Sequence, residues 1–161
     1  MKHYGFDRAK ASEAVSVYRE YYSKKGLYEN SIYDGVVEML ACIKESGARI
    51  VLATSKPWRF AEIILEHFNV KQYFDFVAGA TMSETRTRKD EVIKYAIDTC
   101  NIDPATAVMV GDREYDVIGA MRFKIKTVGV SYGYGSVDEL KKAGAFIIAG
   151  SPKEVADSIL E

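Results

Sequence analysis

The stretch Val108-Met-Val-Gly-Asp-Arg-Glu-Tyr-Asp116 decides the fold class of this chain. Its apolar run, residues 107–110, predicts a short buried strand that Gly111 ends. Asp112 follows at once, and Asp116 opens an amphipathic helix four residues later. Ligands of open α/β sheets bind at the carboxyl ends of the strands, where two carboxylates suit a hard cation such as Mg²⁺. The structural alternative makes Asp112 a turn residue or helix cap and Asp116 an acid favoured by the helix dipole.

Outward from this stretch, predicted strands alternate with predicted helices from Arg49 onward. The strands are predicted at residues 49–55, 74–80, 107–110, 126–131 and 145–149. This alternation predicts an α/β fold with a parallel sheet and helices on both faces. Two helices, at residues 7–25 and 36–46, precede the first strand. We therefore divide the chain into a helical segment, residues 1–33, and an α/β core, residues 34–161.

Composition narrows the class of partner. The chain has 161 residues, 48% of them hydrophobic, and a formal net charge of −1, so it lacks the basic surplus of nucleic-acid-binding proteins. Its apolar runs are too short to span a bilayer. We predict no nucleic acid polymer and no membrane as partners. Cys42 and Cys100 are predicted to be buried or half-buried free thiols, which suits a reducing cytoplasm.

The first predicted helix carries a stripe of tyrosines, Tyr18, Tyr21 and Tyr22, at helical spacing. An aromatic stripe with this period is typical of a packing face, and we interpret it so. The alternative is a surface that binds a ligand.

Polar groups at two other junctions suit an anion. Thr54 and Ser55 end a predicted strand just before a helix, where N–H groups and hydroxyls can bind phosphate. The alternative for Ser55 is simple N-capping. Lys89 begins a helix, where its charge opposes the dipole; that misfit favours a functional role over a solvated surface lysine. The glycines of residues 132–135 suit a turn as well as a phosphate loop.

Four motifs now follow one another in order: Thr-Ser-Lys-Pro at residues 54–57, a helix headed by Lys89, Gly-Asp-Arg-x-x-Asp-x-x-Gly-Ala at residues 111–120, and Gly-Val-x-Tyr-Gly-x-Gly at residues 129–135. Together they resemble the haloacid dehalogenase (HAD) superfamily of phosphatases, closest to its phosphoglycolate phosphatase and 5′-nucleotidase-like branch. The resemblance implies a three-layer Rossmann-like sheet of order 5-4-1-2-3. It also implies Mg²⁺-dependent hydrolysis of a small phosphorylated metabolite, like phosphoglycolate or a nucleoside monophosphate.

The resemblance also implies roles for five residues. Asp112 would bind Mg²⁺ directly, with Asp116 beside it or holding its waters. Lys89 would steady the nucleophile and the phosphate. Thr54 would donate a hydrogen bond to a phosphate oxygen, helped by the N–H of Ser55. In such phosphatases the phosphoryl group moves to an Asp carboxylate and is then released by water.

The family's nucleophile motif, Asp-x-Asp-Gly-Thr, is absent from this sequence. The resemblance therefore implies a chain that begins inside the family's helical cap, with residues 1–33 as its remnant and the central first strand missing. Two strands, residues 50–54 and 107–110, would then have facing, unpaired edges. We expect one of three remedies: direct pairing of these strands, pairing by another chain, or an N-terminal segment that changes shape to fill the gap.

Three functional hypotheses follow from these observations. The first is a HAD-type phosphatase whose chain, as given, is nearly inactive for want of a nucleophile. The second is a non-catalytic module that binds Mg²⁺ and phosphate, or self-associates through exposed sheet edges. The third is a receiver-like or nucleotide-binding domain, which ranks low because the sequence lacks a GxxxxGK[ST] phosphate loop.

Overall fold

A computed structural model describes residues 5–81 and 85–160. These residues form two compact units, one ending at Ser31 and one beginning at Ile32. The α-helices are α1 (Arg8–Tyr21), α2 (Val36–Glu45), α3 (Trp58–His67), α4 (Lys89–Cys100), α5 (Glu114–Met121), α6 (Val137–Ala143) and α7 (Pro152–Leu160). The strands are β1 (Val51–Pro57), β2 (Phe76–Ala80), β3 (Val108–Gly111), β4 (Lys126–Val130) and β5 (Ile147–Ala149).

The first unit is helical. Asp7 caps α1 by accepting a hydrogen bond from the N–H of Lys10 at 2.8 Å, and a π-helical turn, Tyr22–Gly26, continues the helix. No residue of α1 is buried; Tyr18 and Tyr21 are 60% and 49% exposed. Tyr22 is half-buried, and the interpretation of the tyrosine stripe as a packing face stays a prediction. Periodicity shows which side of a helix is apolar, but not whether another element covers it.

The second unit carries all five strands, in two separate parallel sheets. β1 pairs with β2, and β4 lies between β3 and β5. Among the described residues no strand pairs with the other edge of β1 or of β3. One expected remedy is therefore wrong, because β1 and β3 do not pair directly with each other. The filling of the gap by an N-terminal segment stays a prediction. Pairing by another chain stays a prediction.

Helices cover both sheets and join them. α4 packs on β1 and β2, α5 packs on β3 and β4, and the two helices pack on each other. One hydrophobic cluster, formed by Ile93, Ala120 and Ile125, receives Ala53 from β1 and Met109 from β3. The two sheets therefore share a core although no strand of the described residues connects them. On the opposite side, α2 packs against α7.

Apolar residues at helical spacing predict one buried face for each of α2 and α4: Val36, Met39, Leu40 and Ile43 on α2, and Val92, Ile93, Ala96 and Ile97 on α4. The buried residues of these helices are Leu40, Ile43, Val92, Ile93 and Ala96. The prediction that both cysteines are buried or half-buried is wrong for Cys42, which is exposed on α2 although Leu40 and Ile43 beside it are buried. Cys100 is partly buried, as predicted. Burial raises the pKa of the Cys100 thiol. Within the described ranges, every helix is too short or too polar to cross a bilayer.

Candidate functional site

Thr54 lies near the carboxyl end of β1, at the carboxyl edge of the sheet. Its Oγ1 accepts a hydrogen bond from the N–H of Lys56 at 3.1 Å, which leaves the hydroxyl proton available to a ligand. The strand is irregular beyond Thr54, where its register with β2 shifts. Gly79 on β2 permits this irregular strand end, because a Cβ there would lie 2.6 Å from Trp58 Cα and 2.7 Å from the carbonyl oxygen of Lys56. Ser55 is exposed in this irregular part of the strand.

The turn after β3 folds the first turn of α5 back onto the strand end. A Cβ at Gly111 would lie 2.6 Å from Cγ of Asp116, so a larger residue cannot stand there without displacing that carboxylate. Asp116 is only 5% exposed, and its Oδ2 accepts a hydrogen bond from the N–H of Arg113 at 3.1 Å. This contact caps α5 and fixes the carboxylate.

Lys89 connects the two sheets at this edge. Its Nζ donates to the carbonyl oxygen of Ala53 at 2.9 Å and lies 2.7 Å from Oδ1 of Asp116. Both oxygens of Asp116 are therefore engaged by protein groups. Asp116 binds Lys89 through Oδ1 and Arg113 through Oδ2. A cation bound beside Asp116 would therefore share its carboxylate with the ammonium group of Lys89.

Asp112 presents a carboxylate with an open coordination position. Oδ2 accepts a hydrogen bond from the N–H of Tyr134 at 2.8 Å, and Oδ1 has no hydrogen-bond partner within the described residues. Across the same residues, no three His, Cys, Asp or Glu side chains converge as a metal-binding group. Mg²⁺ commonly takes one or two carboxylates and completes its shell with water and phosphate, so this donor set fits Mg²⁺.

An open cavity of about 660 Å³ brings the five sequence-predicted residues together. Its lining includes Thr54, Ser55, Lys89, Asp112 and Asp116. Their positions agree with a single site at the carboxyl edge of the strands, and their chemical roles stay predictions. The cavity exceeds the volume of a phosphoryl group, so it leaves room for the rest of a small metabolite.

The sequence did not predict two groups of ion pairs near the cavity. Arg113 Nε donates to Oε1 of Glu139 at 2.8 Å; this pairing raises the pKa of Arg113 and lowers that of Glu139. Asp90 accepts from the guanidinium groups of Arg88 and Arg122, which line the cavity. Arg113 and Glu139 are 26 residues apart and Asp90 and Arg122 are 32 residues apart, so no local pattern indicates these two pairs.

The comparisons with known proteins agree with this geometry. A family model described as haloacid dehalogenase-like hydrolase matches residues 2–130. A 5′-nucleotidase of Pseudomonas aeruginosa is 42% identical over 141 residues, which are 88% of this chain and 64% of that protein. A tyrosine-protein kinase of Mycobacterium tuberculosis, PtkA, is 39% identical over 86% of this chain and 47% of that protein.

A solved structure is similar over nearly the whole chain. The crystal structure of a predicted phosphatase from Clostridium acetobutylicum superposes with a TM-score of 0.94 at 44% identity, covering 99% of this chain and 74% of that one. The chain spans between about half and two thirds of the length of the two curated relatives.

Proposed function

Since this chain belongs to the haloacid dehalogenase-like hydrolase family, we propose that it carries the magnesium- and phosphate-binding part of a phosphomonoesterase site. The proposed reaction is hydrolysis of a small phosphorylated metabolite, like phosphoglycolate or a nucleoside monophosphate. The observation that supports it best is the convergence of Thr54, Lys89 and Asp112 on one cavity at the carboxyl edge of the strands.

Each residue of the cavity has a proposed task. Asp112, through its unpartnered Oδ1, would hold Mg²⁺, which when bound supplies positive charge to the phosphoryl oxygens. Lys89 would bring an ammonium group to the same oxygens, and Asp116 holds that ammonium in place at 2.7 Å. Thr54 would donate its hydroxyl proton to a phosphate oxygen, with Ser55 contributing its N–H. All of these groups stabilise negative charge, which is the main requirement of phosphoryl transfer.

The nucleophile is the part of the site that the described residues do not supply. No Asp-x-Asp pair occurs in the sequence, and β1 and β3 each keep one unpaired edge in the part of the chain that the structure describes. We propose that a nucleophile-bearing strand from outside these residues pairs with both edges, and that the 161-residue chain alone is nearly inactive. Buried backbone groups without partners cost about 1–3 kcal/mol each, so such a strand would also stabilise the fold.

Calorimetric titration tests the proposed cation site. We expect Mg²⁺ to bind the wild-type chain and to lose measurable affinity in Asp112→Asn. Asp138→Asn is the matched control, because Asp138 is exposed on α6 and does not line the cavity. Equal Mg²⁺ affinity in Asp112→Asn and the wild type would refute the assignment of Asp112.

The same titration with orthophosphate, in the presence of Mg²⁺, tests Lys89. Loss of a hydrogen bond to a charged group costs about 1.5–3 kcal/mol, so Lys89→Met should weaken phosphate binding about 10- to 100-fold. Lys94→Met is the control, since Lys94 pairs with Asp98 on the exposed side of the same helix. Equal phosphate affinity in the two variants would contradict the proposed role.

Hydrolysis of p-nitrophenyl phosphate tests the proposed inactivity of the chain. We expect turnover near background with or without Mg²⁺. Robust turnover that disappears in Asp112→Asn would show that the chain builds a complete site by itself. It would refute the proposed inactivity and leave the phosphatase assignment intact.

A non-catalytic or self-associating module is the second candidate. The unpaired edges of β1 and β3 favour it, because open strand edges invite pairing with another chain. Sedimentation velocity across a concentration series should then show dimers, and a monomer at all concentrations would exclude self-association. For the compartment we propose the cytoplasm, where the exposed free thiol of Cys42 would stay reduced.

A further inference from the structure

The loop between β4 and α6, residues 131–136, contacts Asp112 through its backbone. The N–H of Tyr134 donates to Asp112 Oδ2 at 2.8 Å, and the N–H of Gly135 donates to the carbonyl oxygen of Asp112 at 3.0 Å. Two successive amides therefore hold the side chain and the main chain of one aspartate. The Tyr134 side chain is 89% exposed, so the residue acts here through its N–H.

The two glycines of this loop are required by close approach. A Cβ at Gly133 would lie 2.6 Å from Asp112 Oδ2, and a Cβ at Gly135 would overlap the carbonyl oxygen of Asp112. Neither glycine has a positive φ, so an L-residue could adopt either backbone conformation. Any side chain would instead push the loop away from Asp112 and lengthen both hydrogen bonds.

Both ends of the loop are anchored to the structure around Asp112. On one side, β4 pairs with β3, and Gly129 lies opposite Gly111. On the other side, Glu139 in the first turn of α6 accepts hydrogen bonds from Arg113 Nε at 2.8 Å and from the N–H of Glu114 at 2.9 Å. The loop is therefore held in place before any ligand arrives.

We propose that the loop 131–136 is a positioning element that fixes the rotation of the Asp112 carboxylate. With Oδ2 bound to the N–H of Tyr134, Oδ1, which has no hydrogen-bond partner within the described residues, is the oxygen that binds the cation. This inference rests on the proposed Mg²⁺ site and goes beyond it, because it assigns the cation affinity partly to backbone groups 22 residues away. Loss of a partner that orients a metal ligand typically lowers metal affinity about 10- to 100-fold.

Calorimetry with Mg²⁺ alone tests the proposal on the full 161-residue chain. We expect Gly133→Ala and Gly135→Ala to raise the Mg²⁺ dissociation constant about 10- to 100-fold. Gly150→Ala is the matched control, since its Cβ would meet its nearest neighbours at an ordinary 3.4–3.8 Å and the residue does not line the cavity. A purely structural role would lower the melting temperature of the glycine variants without changing their Mg²⁺ affinity. That result in folded variants would overturn the proposal.

A measurement on the wild-type chain keeps the proposal falsifiable if the glycine variants do not fold. In a ¹H–¹⁵N spectrum, the amides of Tyr134 and Gly135 should shift during Mg²⁺ titration with the calorimetric dissociation constant. Amides that stay unshifted while Mg²⁺ binds would overturn the proposal and leave the site standing. Absence of Mg²⁺ binding to the wild type, or unchanged binding in Asp112→Asn, would refute the site itself and the positioning role with it.

Discussion

Replacing Lys89 by Met tests the connection between the two sheets. The Lys89 and Asp116 side chains are 16% and 8% exposed, so their ion pair is largely removed from water. Lys89→Met would leave Oδ1 of Asp116 charged and unpaired, and would deprive the Ala53 carbonyl of its donor. Removing one partner of a buried pair typically costs 3–5 kcal/mol. Because Asp116 keeps the N–H of Arg113, we expect the lower end, about 3 kcal/mol.

Guanidinium denaturation followed by Trp58 fluorescence is the assay, because Trp58 is the only tryptophan and begins α3. A loss of 3 kcal/mol would lower the melting temperature of a chain of this size by about 6–12 °C. Lys94→Met is the control: the Lys94 and Asp98 side chains are 63% and 59% exposed, and such pairs contribute less than about 1 kcal/mol.

A double-mutant cycle separates the ion pair from other effects of the substitution. Asp116→Asn keeps an oxygen for the N–H of Arg113 but removes the charge. The combined variant, Lys89→Met with Asp116→Asn, should therefore be more stable than the sum of the single losses predicts, by about 2 kcal/mol. Additivity within about 0.5 kcal/mol, or a Lys89→Met variant as stable as Lys94→Met, would refute the reasoning.

Three further predictions concern other parts of the chain. Hydrogen bonds from Lys44 and from the N–H of Ile50 lower the pKa of the Asp75 carboxyl in the folded state. The carboxylate should therefore stabilise the fold fully at a pH above the unfolded pKa of about 3.8, and lose this effect as the pH falls through the lower folded pKa. Unfolding free energies of Asp75→Asn and of the wild type should converge at that low pH, and a constant difference between them would contradict this. Gly111→Ala should destabilise the chain by about 1–3 kcal/mol, because the added Cβ would overlap the Asp116 side chain in the first turn of α5. A melting temperature equal to that of the wild type would contradict this. Ellman's reagent should modify exposed Cys42 faster than Cys100, whose thiol is partly buried with a raised pKa; equal rates would contradict the described burial.

The order of elements, and the strand edge at which the candidate site residues lie, could be predicted from the sequence. Apolar runs bounded by glycine or hydroxyl residues indicated the strands, and apolar positions at helical spacing indicated the buried faces of α2 and α4. Thr54, Lys89 and Asp112 each stand at a strand end or helix start, and parallel strands bring such positions to one edge. These signals are local. The predicted order of strands and helices agrees with the structure because backbone geometry and burial favour the same conformation within each element.

Contacts between distant residues were decided only by the tertiary structure. The Lys89 ammonium reaches a carbonyl 36 residues away, and the Tyr134 amide reaches a carboxylate 22 residues away. Both contacts depend on how closely neighbouring elements pack, which follows from small residues such as Gly119 between α4 and α5. The exposure of Cys42 was missed for the same reason. Periodicity indicates which side of an element is apolar. Whether another element covers that side depends on the packing of the whole chain.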